Sequence, residues 1–475
     1  MAEASEGSTL AMKTVPHSET TTPSAISKLM SLVISDDDLL VEILIRLPDY
    51  RCVVQCGLVC KRWFSLIFRC GLYFSHAFNH HHRQKRQLSG SNPLPYTIFL
   101  TNPLRHGHMF LTSYDTTTVN LFSKKSKILH GEKRVQQSDD HRSYLEFLGL
   151  QDPMIISSCD DLLLVRIGRE SRYIICNPLT KQWFALPQRP RSYFNSYGLV
   201  CKPNSTTTSS CCKKLGLHYC NCTINFRVVL IGYSKTRREL VTTTFSSETG
   251  QWNKSSFFFP LFRWFSWPLT AYACNGILYW PLCQCTWQGI LALNPFKDEA
   301  EEGRCRLIRL PDEIPSPEDD IFLFARLGVV QGRLRLSEFE PYSHRWSLKT
   351  WELNDLSRCD NDHDHGGGDD ADWLLVHDVE VKKADKLIVG FFLGLHPEDG
   401  DVIFFICNLP RGSRESGGDR DTGESGFYRY HVKRDSFEKI CDVPYRDFML
   451  FKYCRSVFTI VHPWLPTKIP ELPCV

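Results

Sequence analysis

A unit of strand, turn and strand that closes on Leu-Pro recurs along this chain, and it narrows the possible folds more than any other feature of the 475 residues. Residues Asp160 to Pro187 run strand, turn, strand, then Asn177-Pro178-Leu179-Thr180-Lys181-Gln182-Trp183 and a final Leu186-Pro187. Asn275 to Pro311 repeat that order, with a Gly276 turn into Leu278-Tyr279-Trp280, a second strand, Asn294-Pro295 and Leu310-Pro311. Looser copies are Gly332 into Leu334-Arg335-Leu336 with Trp346 and Trp351, Val228 to Trp252 with Ser247-Glu248-Thr249-Gly250 as its turn, and Phe427 to Pro444. A spacing of roughly 40 to 50 residues is the length of a four-stranded propeller blade.

The apolar runs between these turns read as strands: Leu162 to Val165, Tyr173 to Cys176, Val228 to Ile231, Ile277 to Trp280, Ile290 to Leu293, Leu387 to Val389 and Val402 to Ile406. Radial repetition is one of few ways for so long an all-β region to hide its sheet edges. Each sheet then has faces that only its neighbours cover, with tryptophans filling the wedge between sheets. With Tyr96 to Leu100 at one end and Ser456 to Ile460 at the other, the spacing predicts about six blades.

Ahead of this region lies a helical stretch, Ile34 to Ile67. Ser35 with Asp38 three residues on is a capping-box pattern, and the acidic run Asp36 to Asp38 suits the positive end of a helix. Leu39, Leu40, Ile43, Leu44 and Leu47 share a broad apolar face, and Pro48 ends it. Arg51 to Gln55 has room for a short helix before Gly57; Val59, Trp63, Leu66, Ile67 and Cys70 mark a third. Three short helices bury too little core to stand alone, so the cluster calls for a partner.

The chain is an ordinary globular composition, 42% hydrophobic and 23% charged, with a net charge of +3. No overall basic field calls for nucleic acid or an acidic membrane. The window Phe257 to Trp280 is broken by Pro260, Arg263, Pro268 and Asn275, so it does not read as a membrane span. Twenty cysteines are scattered behind an N-terminus without an apolar h-region, which predicts a reducing compartment, cytosol or nucleus. The sequons at Asn204, Asn221 and Asn253 are then expected to stay unmodified. The organisation expected is multidomain α+β: a disordered leader over 1–30, a helical module over 31–76, a linker over 77–94, the β region over 95–462 and a tail over 463–475. His80 to Gln87 reads as solvated linker, with a nuclear-import or anion-binding patch as the alternative.

The acidic helix start, the helix ending Leu47-Pro48 and the block Val59-Cys60-Lys61-Arg62-Trp63 with Leu66-Ile67 together resemble the F-box. The family usually opens with Leu-Pro where this chain has Ile34-Ser35. The resemblance implies a docking module for the adaptor subunit of an SCF-type ubiquitin ligase and, through it, a cullin. The residues it assigns to docking are Ile34, Leu39, Leu40, Ile43, Leu44, Leu47, Pro48, Val59 and Cys60, with Trp63, Leu66 and Ile67 holding the helices together. The β region resembles the F-box-associated region of the large plant F-box families, a kelch-like, propeller-type interaction domain. That resemblance is carried by Asp160-Asp161-Leu162-Leu163-Leu164, Cys176 to Trp183, Ser246 to Trp252 and Asn275 to Trp280. Departures lie in inserts at Asn204 to Cys222 and Cys359 to Asp372.

Several clusters invite a chemical reading. Cys211, Cys212, Cys220, Cys222 and His218 are zinc-type ligands, but their gaps are not those of known fingers, and a cysteine-bearing loop is the better reading. Asp360, Asp362, His363, Asp364, His365, Asp369 and Asp370 surround Gly366-Gly367-Gly368, the composition of an acidic loop rather than a cation cage. Cys283 and Cys285 would share one face of a strand as small core residues. No nucleophile elbow, phosphate-binding loop, His-Glu-x-x-His helix or kinase signature occurs. The expectation is a non-catalytic receptor with no cofactor or metal, holding an unidentified target protein. Two alternatives remain: a non-degradative scaffold on the same adaptor, and a propeller enzyme with helices for oligomerisation.

Overall fold

The computed structural model describes residues 36–48, 50–69, 74, 77–78, 81–82, 96–101, 119–122, 145–150, 153–167, 172–189, 196–202, 225–234, 239–258, 270–283, 287–298, 304–312, 314, 325–340, 346–354, 373–381, 388–409, 424–443, 456–461, 467 and 469. The first part is helical. Helix α1 (Asp37–Leu44) is capped by Asp36, whose Oδ1 accepts from the N–H groups of Asp38 at 2.9 Å and Leu39 at 3.0 Å. The cap is therefore Asp36, one residue after the expected Ser35, which lies outside the described residues; a carboxylate is an equally good N-cap. The helix ends before Pro48, with Ile45 as C-cap.

Helix α2 (Tyr50–Gly57) follows, then α3 (Lys61–Phe64), which continues as a π-helical turn over Ser65–Arg69. Cys60 caps α3 by accepting from the Trp63 N–H at 3.5 Å. Arg62 Nε donates to Asp37 Oδ1 at 2.8 Å, tying the start of α3 to the first turn of α1. Inside the cluster lie Leu40, Val41, Leu44, Ile45, Val53, Leu66, Ile67, Phe74 and Phe78. The module thus runs past the expected boundary at residue 76, because Phe78 is needed to close its core. His82 is buried and its ring centroid lies 4.2 Å from that of Phe78, so it is not part of a solvated linker as expected.

The rest is an all-β propeller. Sheet 2 holds β3 (Met154–Cys159), β4 (Leu162–Ile167), β5 (Arg172–Asn177) and β6 (Gln182–Ala185) in that order. Sheet 3 holds β7 (Ser196–Lys202), β8 (Asn225–Ser234), β9 (Glu239–Ser246) and β10 (Gln251–Phe258). Sheet 4 holds β11 (Tyr272–Cys274), β12 (Ile277–Cys283), β13 (Trp287–Leu293) and β14 (Cys305–Ile308). Sheet 5 holds β15 (Ala325–Val330), β16 (Arg333–Glu340), β17 (Trp346–Leu353) and β18 (Trp373–Val381). Sheet 6 holds β19 (Ile388–Leu395), β20 (Val402–Leu409), β21 (Glu424–His431) and β22 (Ser436–Val443). All five are antiparallel meanders of four strands, and the apolar runs read as strands between residues 162 and 406 lie in them, Leu387 falling outside the described residues.

Sheet 1 joins the first and last described strands. It has three described strands, β1 (Tyr96–Thr101), β2 (Val119–Phe122) and β23 (Ser456–Val461), in the order β2-β1-β23. Tyr96 to Thr101 pair with Val461 to Ser456 in antiparallel register, so the last strand completes the first sheet. β23 also packs beside β3, and Ile460 is fully buried against Ile155, Leu163, Val165 and Ile174. The blades are thus five of four strands plus one three-stranded sheet among the described residues, against the expected six.

The sheets contact their neighbours in sequence order, and each contact has its own apolar cluster. Between sheets 2 and 3 lie Ile156, Leu164, Ile175, Leu199, Phe226 and Phe245. Trp280, Leu278 and Leu291 meet Val200 and Val229 between sheets 3 and 4, and Phe339 and Leu348 meet Phe392 and Phe405 between sheets 5 and 6. The inner strands come close: a Cβ on Gly198 would sit 2.8 Å from Leu278 Cδ1 and 3.0 Å from Trp280 Cζ2. Trp280 fills the wedge between sheets 3 and 4 as expected, Trp351 is buried, and Trp183 is 45% exposed. Trp252 and Trp373 instead donate from Nε1 to the carbonyls of Pro187 at 2.9 Å and Arg309 at 2.8 Å, clamping the segments that leave sheets 2 and 4.

The turn residues follow from the hairpin geometry. Asn275-Gly276 and Gln331-Gly332 join strands one and two of their sheets with φ values of 51° and 80°, and of 53° and 78°. Positive φ at both central positions is the type I′ requirement, which Asn and Gly meet at little cost. Successive hairpins are linked across sheets: Asn275 Nδ2 donates to Gly332 O at 3.2 Å, and Gln331 donates from its N–H to Pro397 O at 2.7 Å and from Nε2 to Glu398 O at 3.0 Å.

Candidate docking surfaces

Single apolar side chains in solvent are ordinary, but a concentration of large ones on one element marks an interaction surface. Among the described residues these are Leu39, Ile43, Leu58, Val59, Phe64, Trp183, Leu374 and Leu375. Five of the eight belong to the helical module. Leu39 and Ile43 are one helical turn apart on α1 and are 48% and 49% exposed. Leu58 and Val59 occupy the turn between α2 and α3 at 74% and 66%, and Phe64 ends α3. The Asp37–Arg62 ion pair ties the start of α3 to the first turn of α1.

The residues expected to dock therefore separate. Leu39, Ile43, Val59, Cys60 and Pro48 are exposed. Leu40 and Leu44, at 2% and 1% exposure, are core side chains and are corrected from contact to support, and half-buried Leu47 packs at the edge of the same core. Ile34 lies outside the described residues. Leu66 and Ile67 are buried and Trp63 packs against them. Sequence periodicity missed Leu58 and Phe64. Leu58 sits directly after Gly57 in a turn, where no period applies, and Phe64 was masked by its neighbour Trp63.

A second surface is the end of the propeller where strands one and two, and strands three and four, of each sheet are joined. The described strand ends flanking residues 203–224 and 355–372 open at this end, because those segments join β7 to β8 and β17 to β18. The cysteine and acidic clusters of the sequence fall within those segments, outside the described residues; Cys285, between β12 and β13, also lies outside them. Polar side chains order the turns. Asn225 Nδ2 and Arg227 both bond Glu248, and Arg227 also stacks over Phe296 at 4.9 Å. His396 Nδ1 accepts from the N–H groups of Glu398 and Asp399, both at 3.0 Å, and its burial holds its pKa down to about 3. The imidazole is thus a neutral turn-former. Glu352 accepts from Arg333 and Arg335 Nε, the latter at 2.8 Å; burial pulls its pKa up, and the two guanidinium groups outweigh that and hold it below the usual range.

Among the described residues no group of three or more His, Cys, Asp or Glu side chains could hold a metal ion, and no helix is long and apolar enough to cross a membrane.

These two surfaces belong to a helical module and a propeller, and comparison with known families agrees with that division. Residues 37–79 match the family described as F-box-like, and residues 120–410 match the family described as F-box protein At3g26010-like, beta-propeller. The chain belongs to the F-box protein At3g26010-like β-propeller family. No curated protein matches it. Among solved structures it is similar to the β-propeller domain of the Trilobed protease from Pyrococcus furiosus, described as having an open velcro topology. That likeness has 9% identity over 60% of this chain and 68% of that one, with a TM-score of 0.25. It is also similar to the Malassezia sympodialis allergen Mala s 1, at 9% identity over 66% of this chain and 92% of the other, with a TM-score of 0.22.

Proposed function

We propose that this chain is the substrate-recognition subunit of an SCF-type ubiquitin ligase. The helical module docks on the adaptor, and through it a cullin, while the propeller holds a target protein. The observation that carries this reading is the concentration of exposed apolar side chains on the F-box-like module: Leu39, Ile43, Leu58, Val59 and Phe64 surround a core too small to be self-sufficient. The chain performs no covalent step itself. Its contribution is proximity, which turns the encounter of target and ubiquitin-conjugating enzyme into a local one. Target contacts are placed on the turn end of the propeller, and the compartment is the reducing one of the cytosol or nucleus.

The test is to remove the chain from its cells and compare protein abundances. Proteins that accumulate, and fall again on return of wild type but not of the Ile43→Asp/Val59→Asp variant, are the expected result. If no protein accumulates, or if the variant restores levels as well as wild type, the receptor reading fails and an adaptor-bound scaffold takes its place.

A further inference from the structure

The wedge between sheets 2 and 3 brings two thiols together. On β3, Cys159 shares a face with its β4 partner Leu162, and on β7, Cys201 shares a face with Leu199; all four side chains join the apolar cluster between the two sheets, so the two faces look at each other. The inner strands β3 and β7 lie side by side and start at the same end, where Arg166 bonds both Met154 Sδ at 3.6 Å and Tyr197 OH at 3.4 Å. Further along, Ser157 Oγ accepts from the Leu199 N–H at 2.9 Å, which fixes the level of one strand against the other. Side chains two residues on return to the same face, so Cys159 and Cys201 meet one step beyond that bond. The two thiols are hydrogen-bonded to each other, and neither is in a disulfide.

We propose that Cys159 and Cys201 are an oxidative modification site, which hydrogen peroxide converts into a disulfide that staples the inner strands of sheets 2 and 3. A disulfide needs side chains that point at one another, and two facing strands held at one level supply that. Cys201 is half-buried and Cys159 is buried, so the first attack falls to Cys201. Its sulfur displaces one peroxide oxygen: the O–O bond breaks, a sulfenic acid forms, and the thiol proton leaves with the other oxygen as water. The Cys159 sulfur then attacks the sulfenic sulfur, the S–S bond forms, the S–O bond breaks and a second water carries off the second proton. Two thiols are oxidised and one peroxide is reduced to two waters. Hydrogen bonding to Cys159, burial, and the carboxylates of Asp160 and Asp161 hold the Cys201 thiol well above its ordinary range. Attack is therefore slow and takes excess peroxide, and the same carboxylates favour a small neutral oxidant over an anionic one. The staple lies directly before the Asp160-Asp161 turn and so stiffens the turn end of the propeller. The inference goes beyond the receptor reading, and its assay contains neither adaptor nor target.

The experiment treats folded, fully reduced full-length protein with hydrogen peroxide, blocks the remaining thiols with iodoacetamide in denaturant, digests without reduction and reads the peptides by mass spectrometry. Exposed Cys60 serves as the internal control that peroxide has acted. A peptide pair joined through Cys159 and Cys201, lost on reduction, is the expected result. Closing that loop should raise the propeller's unfolding midpoint by about 1 M urea, and reduction should return it. Cys201→Ser should lose both the joined peptide and the shift. Should that variant fail to fold, Cys159→Ala offers the same two readouts, and the wild-type peptide map needs neither. Recovery of Cys159 and Cys201 as alkylated thiols in molecules whose Cys60 is oxidised overturns the proposal. So does advance of Cys201 to the sulfinic acid while Cys159 remains a thiol.

Discussion

The helical module and the propeller handle apolar surface in opposite ways. In the propeller, Trp280, Phe339, Phe392, Phe405 and Phe427 are all under 2% exposed, and each sheet supplies the cover for the next. In the module, a core of nine buried side chains is ringed by Leu39, Ile43, Leu58, Val59 and Phe64 in solvent. One part is completed by its own repetition. The other keeps apolar side chains in solvent, the surface that the proposed adaptor would cover. Burial alone thus separates a part that covers its own apolar surface from a part that leaves it open.

The largest way to break that contrast is to damage the propeller and look for an effect on docking. Phe405 lies fully buried among Phe339, Phe392, Tyr430 and Phe437, with ring centroids 5.0 to 6.4 Å away. Phe405→Ala should cost the propeller about 4 kcal/mol in denaturant unfolding, with adaptor affinity unchanged. A matching loss of adaptor affinity would show that the two parts are not separable.

A second effect sharpens the contrast by asking what else the propeller buries. Burial raises the Asp161 carboxyl from 3.8 to about 6, against hydrogen bonds from Thr467 and Asn177 that lower it. A carboxyl raised in the folded state binds more protons folded than unfolded between those values. Its favourable contribution is present at low pH and lost as pH rises through about 6. The unfolding free energy of Asp161→Asn relative to wild type should therefore grow by about 2 kcal/mol from pH 4 to pH 6.5. His396 runs the other way. Burial, with Arg429 and His431 nearby, lowers it to about 3, so its contribution is lost as pH falls below 6.5. His396→Phe should flatten that acid limb in the same pH series.

The smallest effect is in the module. Asp36→Ala removes the cap that accepts from Asp38 and Leu39 and should cost about 1 kcal/mol. It should weaken adaptor binding by a few fold and leave propeller unfolding untouched, as calorimetry of the two transitions will show.

Much of this was legible in the residues, and what was not has physical reasons. Second and third strands such as β4, β5, β12 and β13 are dense apolar runs because both faces are covered, and these were readable. Inner strands such as β7 and β15 carry Gly198 and Gly328 where neighbouring strands crowd, which thins the apolar signal. On α1 the apolar arc was readable but its division was not: Leu40 and Leu44 turn inward, Leu39 and Ile43 outward, and all four are aliphatic. The Thr467 contact with Asp161 joins residues 306 apart and leaves no local pattern. Thr467, within the segment expected as a tail over 463–475, is thus held on sheet 2.

The central claim is that the module docks on an SCF adaptor independently of the propeller. The most direct measurement is titration calorimetry of adaptor into full-length wild type and into Ile43→Asp/Val59→Asp, with propeller unfolding recorded on the same samples. The account predicts one-to-one binding by wild type, at least a hundredfold loss in the variant, and the same propeller unfolding midpoint in both. Binding of equal strength in both proteins, or none by wild type with its propeller intact, would contradict it.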